Sequence, residues 1–484
     1  MDFTVLFSFE QLRLLELVCL LQQKEELYSM AEVASQLAIS QKTLTEYLKK
    51  LQRKLNKLPE REAGHIQLLK GGYFTYHEQD SYTSERFKRF FLQGIPELCI
   101  LRALLETNLD IEQLQQNLQI SESSIRKKLR KIQNWLHPFN IYLQRKNYQL
   151  IGDEAQIRWL AVRFYHYLQL PLFFEKSKQI MLETLVHQIC LFFGLNINQI
   201  QQNQLYYFVY IVLQRKKSNN LIRLATNWHH FLNASQLFQN FQRKVLLNRL
   251  LPNEEQKYLY LMIEAVFGNS FNHKSQCLMI QEHMHQSTDV FQMTLAIMKY
   301  IKSEFNHIKF SYEKKHLCNF LCTHLHLELL QMTDFQVNEL TAEYTACFPK
   351  TMSRLKGMLR VLKERWPSLR LVPEENLVGS YLFKLCQLFN PIQCEKRYFL
   401  CLLTDFTPEK EELFGKNLQA YFAYRKNIHL VYGQKTMDTP YAHLYLATHL
   451  FENKWATVQA PIVFIPKKIT DHFFHKVDAV LTKQ

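Results

Sequence analysis

A chain of 484 residues is too long for one hydrophobic core, so several domains are expected. With 47% hydrophobic and 21% charged residues it is a globular chain with real cores, and 11 glycines plus apolar positions recurring every three or four residues indicate mainly helix. The formal net charge of +15 points to an anionic partner, and no window reaches the roughly 18 uncharged apolar residues of a spanning helix.

The opening segment, MDFTVLFSFEQLRLLE, carries Asp2 and Glu10 and no basic leader, so it is expected not to direct export. The ten cysteines are scattered without a disulfide-scaffold spacing and read as free thiols of a cytoplasmic protein.

From Val33 to Leu55 the chain reads VASQLAISQKTLTEYLKKLQRKL, a helix, a short break and a second helix rich in Lys and Arg. One such helix is more often a solvated face than a nucleic-acid reader. This one has a twin: 81 residues on, Leu114 to Leu136 reads LQQNLQISESSIRKKLRKIQNWL, with seven apolar positions matched. Leu44, Leu48 and Leu51 correspond to Ile125, Leu129 and Ile132, and Ser40 to Ser121, each placed to cap the second helix. Such a repeat is hard to reach by chance.

Each copy has helix-turn-helix mechanics, with turns Ala38-Ile39-Ser40 and Gln119-Ile120-Ser121. Residues at the start of the second helix are expected to reach base edges in the major groove, and basic residues further along to reach phosphate. The candidates are Gln41, Lys42, Thr43, Thr45, Lys49, Lys50 and Arg53 in copy one, and Ser123, Arg126, Lys127, Arg130 and Lys131 in copy two. A two-stranded wing follows each copy, with Lys70 at the first tip and Arg145 and Lys146 at the second. The first copy has the more base-capable set, the second the more purely cationic one. The first winged unit is assigned to residues 1–78 and the second to 79–155.

A long helical region follows the Gly152-Asp153-Glu154…Arg158 junction and divides into modules at 160–278 and 279–392, each expected to be a bundle with an aromatic core. No Gly-rich phosphate loop, nucleophile–base pair or metal constellation stands out, so neither an enzyme nor a cofactor is expected. Cys318, Cys322 and His326 step along one helix face over about 12 Å, too far to grip one zinc ion, and read as core. From 393 to 484 strand and helix patterns alternate. RYFLCLLTDF is read as a strand, PEKEELFGKNLQAYFAY as a helix, NIHLVYG as a strand, YAHLYLATHLF as a helix, APIVFIP as a strand and ITDHFFHKVDAVL as a helix. That order indicates a small parallel sheet covered by helices.

Two winged helix-turn-helix units, the Gly-Asp-Glu…Arg junction, two helical modules and a C-terminal α/β domain together resemble the Mga/AtxA family of virulence and global transcription regulators. The resemblance implies modules like the regulation domains of the sugar phosphotransferase system, a terminal domain similar to its enzyme IIB, and control by histidine phosphorylation. Aligned on the pattern of such domains, LCTHLHLELLQ places His324 at a phosphorylatable position. The three other expected positions fall on Phe208 and near Met262 and Leu385. The loop after the first strand of the last domain, Thr404 to Pro408, lacks the cysteine of the enzyme, and Cys401 lies inside the strand. The expectation is a cytoplasmic, DNA-binding transcription regulator, an activator, with double-stranded DNA, a second copy of itself and phosphotransferase phosphocarrier proteins as partners, and no membrane. An RNA-binding antiterminator is the alternative; those begin with a β-rich module, unlike the helical start here.

Overall fold

Serine caps and a buried leucine row set the first helices. The computed structural model describes residues 2–22, 27–58, 64–78, 83–106, 111–144, 148–170, 176–217, 220–245, 250–331, 344–432, 442–449 and 460–483. These divide into two compact units, residues 1–260 and 261–484.

In the first unit, α1 (Phe9–Leu21) opens on a reciprocal cap. The Ser8 hydroxyl accepts from the Gln11 amide at 3.3 Å, and the Gln11 side chain accepts from the Ser8 amide at 2.6 Å. Then come β1 (Tyr28–Ser29), α2 (Met30–Gln36), α3 (Gln41–Leu55), β2 (His65–Leu69) and β3 (Tyr73–His77). The strands form one antiparallel sheet in the order β1-β3-β2, pinned by the stacked rings of Tyr28 and Phe74 at 5.1 Å. The wing tip turns at Gly71 and Gly72, both at positive φ (87° and 82°), where a side chain would be strained.

The second copy comprises α4 (Thr83–Gln93), α5 (Pro96–Glu106), α6 (Ile111–Leu118), α7 (Glu122–Leu136) and a short wing of β4 (Tyr142–Leu143) and β5 (Leu150–Ile151). Where copy one has a single leading helix, copy two has two. Gly152 closes this wing: a Cβ there would lie 2.6 Å from the Asn140 carbonyl oxygen.

Residues 2–7 clasp the second copy. Phe3, Leu6 and Phe7 are buried, and Phe3 meets Trp135 at 5.3 Å and Phe164 at 5.7 Å. Trp135 Nε1 donates to the Asp2 carbonyl at 3.0 Å and Lys131 Nζ to the Phe7 carbonyl at 2.8 Å. Because this segment leads straight into α1, it ties the two helix-turn-helix units together. Glu97 on α5 adds to the tie, accepting from Gln11 at 3.3 Å and Lys128 at 2.5 Å.

Helices α8 (Glu154–Leu168), α9 (Lys176–Phe193), α10 (Gln199–Lys217), α11 (Thr226–Ala234), α12 (Gln236–Lys244) and α13 (Asn253–Phe267) follow; the division between the units falls within α13. The junction residues begin α8: Asp153 caps it, its carboxylate accepting from the Gln156 amide at 3.1 Å. One turn in, Arg158 is fully buried, paired with Glu255 at 2.5 and 3.0 Å, with Glu154 at 2.8 Å and with the Asn220 carbonyl at 2.8 Å. Arg215 forks onto Glu154 at 2.9 and 2.7 Å. A guanidinium out of water is tolerable only when its donors are satisfied in this way.

In the second unit, α14 (His273–His285), α15 (Asp289–Glu304), α16 (Lys314–Leu330), α17 (Pro349–Arg365), α18 (Pro367–Arg370) and α19 (Glu374–Leu388) precede the α/β domain. Ile297, Ile301, Phe320, Leu355, Leu359, Leu377 and Leu382 are among their shared core. The terminal domain contains β6 (Arg397–Leu403), α20 (Pro408–Phe422), β7 (Asn427–Tyr432), β8 (Leu444–Ala447), β9 (Ile462–Phe464) and α21 (Asp471–Thr482). Its sheet is parallel throughout, in the order β7-β6-β8-β9. The expected helix in YAHLYLATHLF is corrected here: Leu444–Ala447 is a strand between β6 and β9, all four residues buried. A short apolar run buried on both faces carries no period that separates strand from helix. Cys401 is buried in β6, and no described helix is long and apolar enough to cross a membrane.

Removing one partner of the buried pair leaves an uncompensated charge. Glu255→Ala is expected to cost on the order of 3 kcal/mol, read as a lower urea midpoint for the transition of the first unit. Lys50→Ala, which breaks only an exposed pair with Glu10, should shift that midpoint little.

Candidate nucleic-acid interface

The second helices of the two copies, α3 and α7, start and end 81 residues apart, at Gln41–Leu55 and Glu122–Leu136. Each follows a turn built on one left-handed residue, Ala38 (φ 49°) or Gln119 (φ 53°), neither a glycine. The Ser40 hydroxyl accepts from the Thr43 amide at 3.1 Å, and the Ser121 hydroxyl from the Ser124 amide at 3.3 Å. Leu44, Leu48, Leu51 and Leu55 are buried in one copy, and Ile125, Leu129, Ile132 and Leu136 in the other. That row fixes which face each helix turns outward.

In copy one the outward face carries Gln41, Lys42, Lys49, Lys50 and Arg53, all exposed, with Thr43 and Thr45 half-buried. Lys50 is held by Glu10 at 2.5 Å, which raises its pKa. The Thr45 hydroxyl donates to the Gln41 carbonyl at 2.9 Å, so this residue presents its methyl outward. Thr43 Oγ1 lies 2.8 Å from Ser40 Oγ. Gln41, Lys42, Lys49 and Arg53 make no such bond among the described residues. With no acidic residue in its first turn, α3 keeps its N-terminal dipole open to an anion.

Copy two spends more of its charge internally. Arg126 reaches Glu122 at 2.5 Å and donates to the Tyr148 hydroxyl at 3.0 Å, Lys131 is half-buried on the Phe7 carbonyl, and Lys128 pairs with Glu97. Ser123, Lys127 and Arg130 remain exposed. Lys70 is exposed at the first wing tip, while Arg145 and Lys146 lie outside the described residues.

One pair of residues escaped the reading by charge. Gln52 accepts the Ile66 amide of β2 at 2.6 Å, and Gln133 accepts the Leu143 amide of β4 at 2.8 Å. They occupy equivalent repeat positions, and each ties its recognition helix to its own wing. The signal was present in the aligned copies, where an identical amide survives on a half-buried face. The Lys54 ammonium lies 4.8 Å from the Phe91 ring, where burial lowers its pKa.

Residues 82–165 match the family model described as the Mga helix-turn-helix domain. That stretch is therefore similar to an Mga helix-turn-helix domain. The matched stretch contains all of the second copy and runs on into α8, the helix braced by Phe3. Over 247 residues the chain is 24% identical to the capsule synthesis positive regulator AcpB of Bacillus anthracis, covering 48% of this chain and 49% of that protein. The chain thus spans about half the length of the curated relative it matches. The resemblance to the Mga/AtxA regulators is borne out by these two matches.

His324 sits in the second unit, fully buried on α16. The Thr294 hydroxyl donates to the Val290 carbonyl at 2.7 Å, so at 2.6 Å it accepts from His324 Nδ1–H. Nε2 is then the acceptor for the Tyr381 hydroxyl at 2.7 Å. Neither ring nitrogen is open to a phosphodonor in this fold. The aligned positions Phe208, Met262 and Leu385 are buried core as well. Cys318 and Cys322 are buried too, their sulfurs 4.0 Å apart.

Burial, with the nearby Lys384 charge, lowers the His324 pKa to about 3. An unfolded histidine takes up its proton near pH 6.5, so the folding contribution is intact above that value and is lost as pH falls toward 3. Urea unfolding of the second unit at pH 6.5 and 5.0 should show a loss of up to about 1.4 kcal/mol per pH unit from this residue. In His324→Gln that part of the pH slope should vanish.

Proposed function

We propose that the chain is a transcription regulator that binds double-stranded promoter DNA through both winged helix-turn-helix units. The observation that carries this reading is the doubled device: left-handed turn, serine cap, buried row and glutamine-tethered wing, repeated at one spacing and turning a cationic face outward each time. The match to a helix-turn-helix family supports it.

The two faces divide the work. On α3, the unpaired Gln41 amide and Lys42 ammonium stand at the helix start, where side chains reach base edges, and the Thr45 methyl suits a thymine methyl. Thr43 supports the cap more than it reads. Lys49 and Arg53, two and three turns on, suit phosphate, with Lys70 on the wing. On α7, Lys127 and Arg130 suit phosphate, with Ser123 at the helix start, while Arg126 and Lys131 position the helix through their internal partners.

Positive control of transcription and assembly into dimers belong to the same reading; the first is supported by the name of the B. anthracis relative, a positive regulator. Control by phosphotransferase phosphocarriers through His324 requires the second unit to open first, since its ring nitrogens are both engaged.

The test is binding of promoter-length duplex DNA across a salt series, read by fluorescence anisotropy. Lys49→Ala with Arg53→Ala is expected to weaken binding to all sequences and to flatten the log–log salt slope by about 2, near 0.9 per lost phosphate contact. An unchanged slope would remove these residues from the interface. Lys42→Ala should instead relax discrimination at one base position, costing about 1–3 kcal/mol at the preferred site.

A further inference from the structure

A cleft of about 580 Å³ opens in the first unit where α4 and the end of α8 meet α9 and α10. That volume lies within the range of sites for drug-sized ligands. Its lining includes opposite charges, Arg89 and Glu183, with apolar Leu182 and Ile200, the rings of Tyr206 and Tyr207, and four further polar side chains.

Arg89 is half-buried on α4 and makes no hydrogen bond or ion pair among the described residues. Leaving a partly desolvated guanidinium without a carboxylate is costly, and most other half-buried cations of this unit have partners. Glu183, on α9, is exposed at the cleft and accepts from the Gln179 side-chain amide at 2.9 Å. The two charges attend different tyrosines on α10. Burial raises the Tyr207 hydroxyl pKa and Arg89 draws it down, whereas burial and then Glu183 raise that of Tyr206. The cleft therefore has a positive side at Tyr207 and a negative side at Tyr206. Tyr207 is fixed there, its hydroxyl donating to the Leu170 carbonyl at 2.9 Å.

A dianion such as a phosphate would meet Glu183, and a neutral ligand would leave Arg89 unpaired. We infer that this cleft binds a short zwitterionic peptide with apolar side chains, its carboxylate on Arg89 and its ammonium on Glu183. The volume favours two or three residues over a single amino acid. Such a ligand would join α4 and α8, which carry the Mga helix-turn-helix match, to α9 and α10, which lie beyond it.

The test uses the full chain and isothermal titration calorimetry with L-leucyl-L-leucine, its N-acetyl form and its C-terminal amide. Saturable binding is expected for the free dipeptide, about tenfold weaker for each blocked form, as for one lost charged hydrogen bond. In Arg89→Gln the preference over the amide should disappear, and in Glu183→Gln the preference over the acetylated form. Neither substitution removes a core side chain, and unchanged circular dichroism confirms that the fold is retained. The inference is overturned if the dipeptide gives no saturable binding, if the blocked forms bind equally well, or if both variants bind all three probes like the parent. None of these outcomes depends on whether the chain binds DNA.

Discussion

The left-handed turn between the two helices of each copy is the constraint on which the outward cationic surface depends. Ala38 and Gln119 accept the cost of a positive φ so that the chain reverses within three residues, and the buried rows of α3 and α7 reward it. Once each row is buried, the opposite face has no freedom. Lys42, Lys49 and Arg53 are outside because Leu44, Leu48 and Leu51 are inside. The glutamines extend this logic to the wings, for Gln52 and Gln133 convert a helix position into a strand position through one hydrogen bond each.

A second constraint binds the copies to one another. Residues 2–7 belong by sequence to the first helix-turn-helix copy and by packing to the second copy and α8, where Phe3 closes an aromatic cluster with Trp135 and Phe164. Lys131 is used in this clasp, which explains why a cation on α7 is not free to meet an outside anion. The same economy holds for Arg126, Lys128 and Lys50, each held by an acid within the unit. Counting basic residues on a helix therefore overstates the charge it presents to a phosphate backbone.

Much of this was legible from spacing. The repeat, its caps, its turns and its buried positions follow from a pattern with period 3.6, because burial of one helix face is a local property. The terminal domain was legible as α/β, but not in its detail. Leu444–Ala447 is flanked by residues that suit a helix, and only pairing with β6 and β9 makes it a strand. The branch from His324 was likewise closed by distant residues, Thr294 and Tyr381, which are 30 and 57 positions away.

The sequence by itself determined which faces are apolar, where helices begin and which side chains carry charge, since each is set by neighbours within a few residues. Tertiary structure alone decided which of those charges stay unpaired, which apolar run becomes a strand, and which histidine is sealed. Those outcomes depend on partners from other elements, such as Glu10 for Lys50 and Tyr381 for His324, and no local periodicity encodes them. The charged cleft beside Arg89 belongs to the same class, for its two ends come from α4 and α9 and meet only when those helices pack.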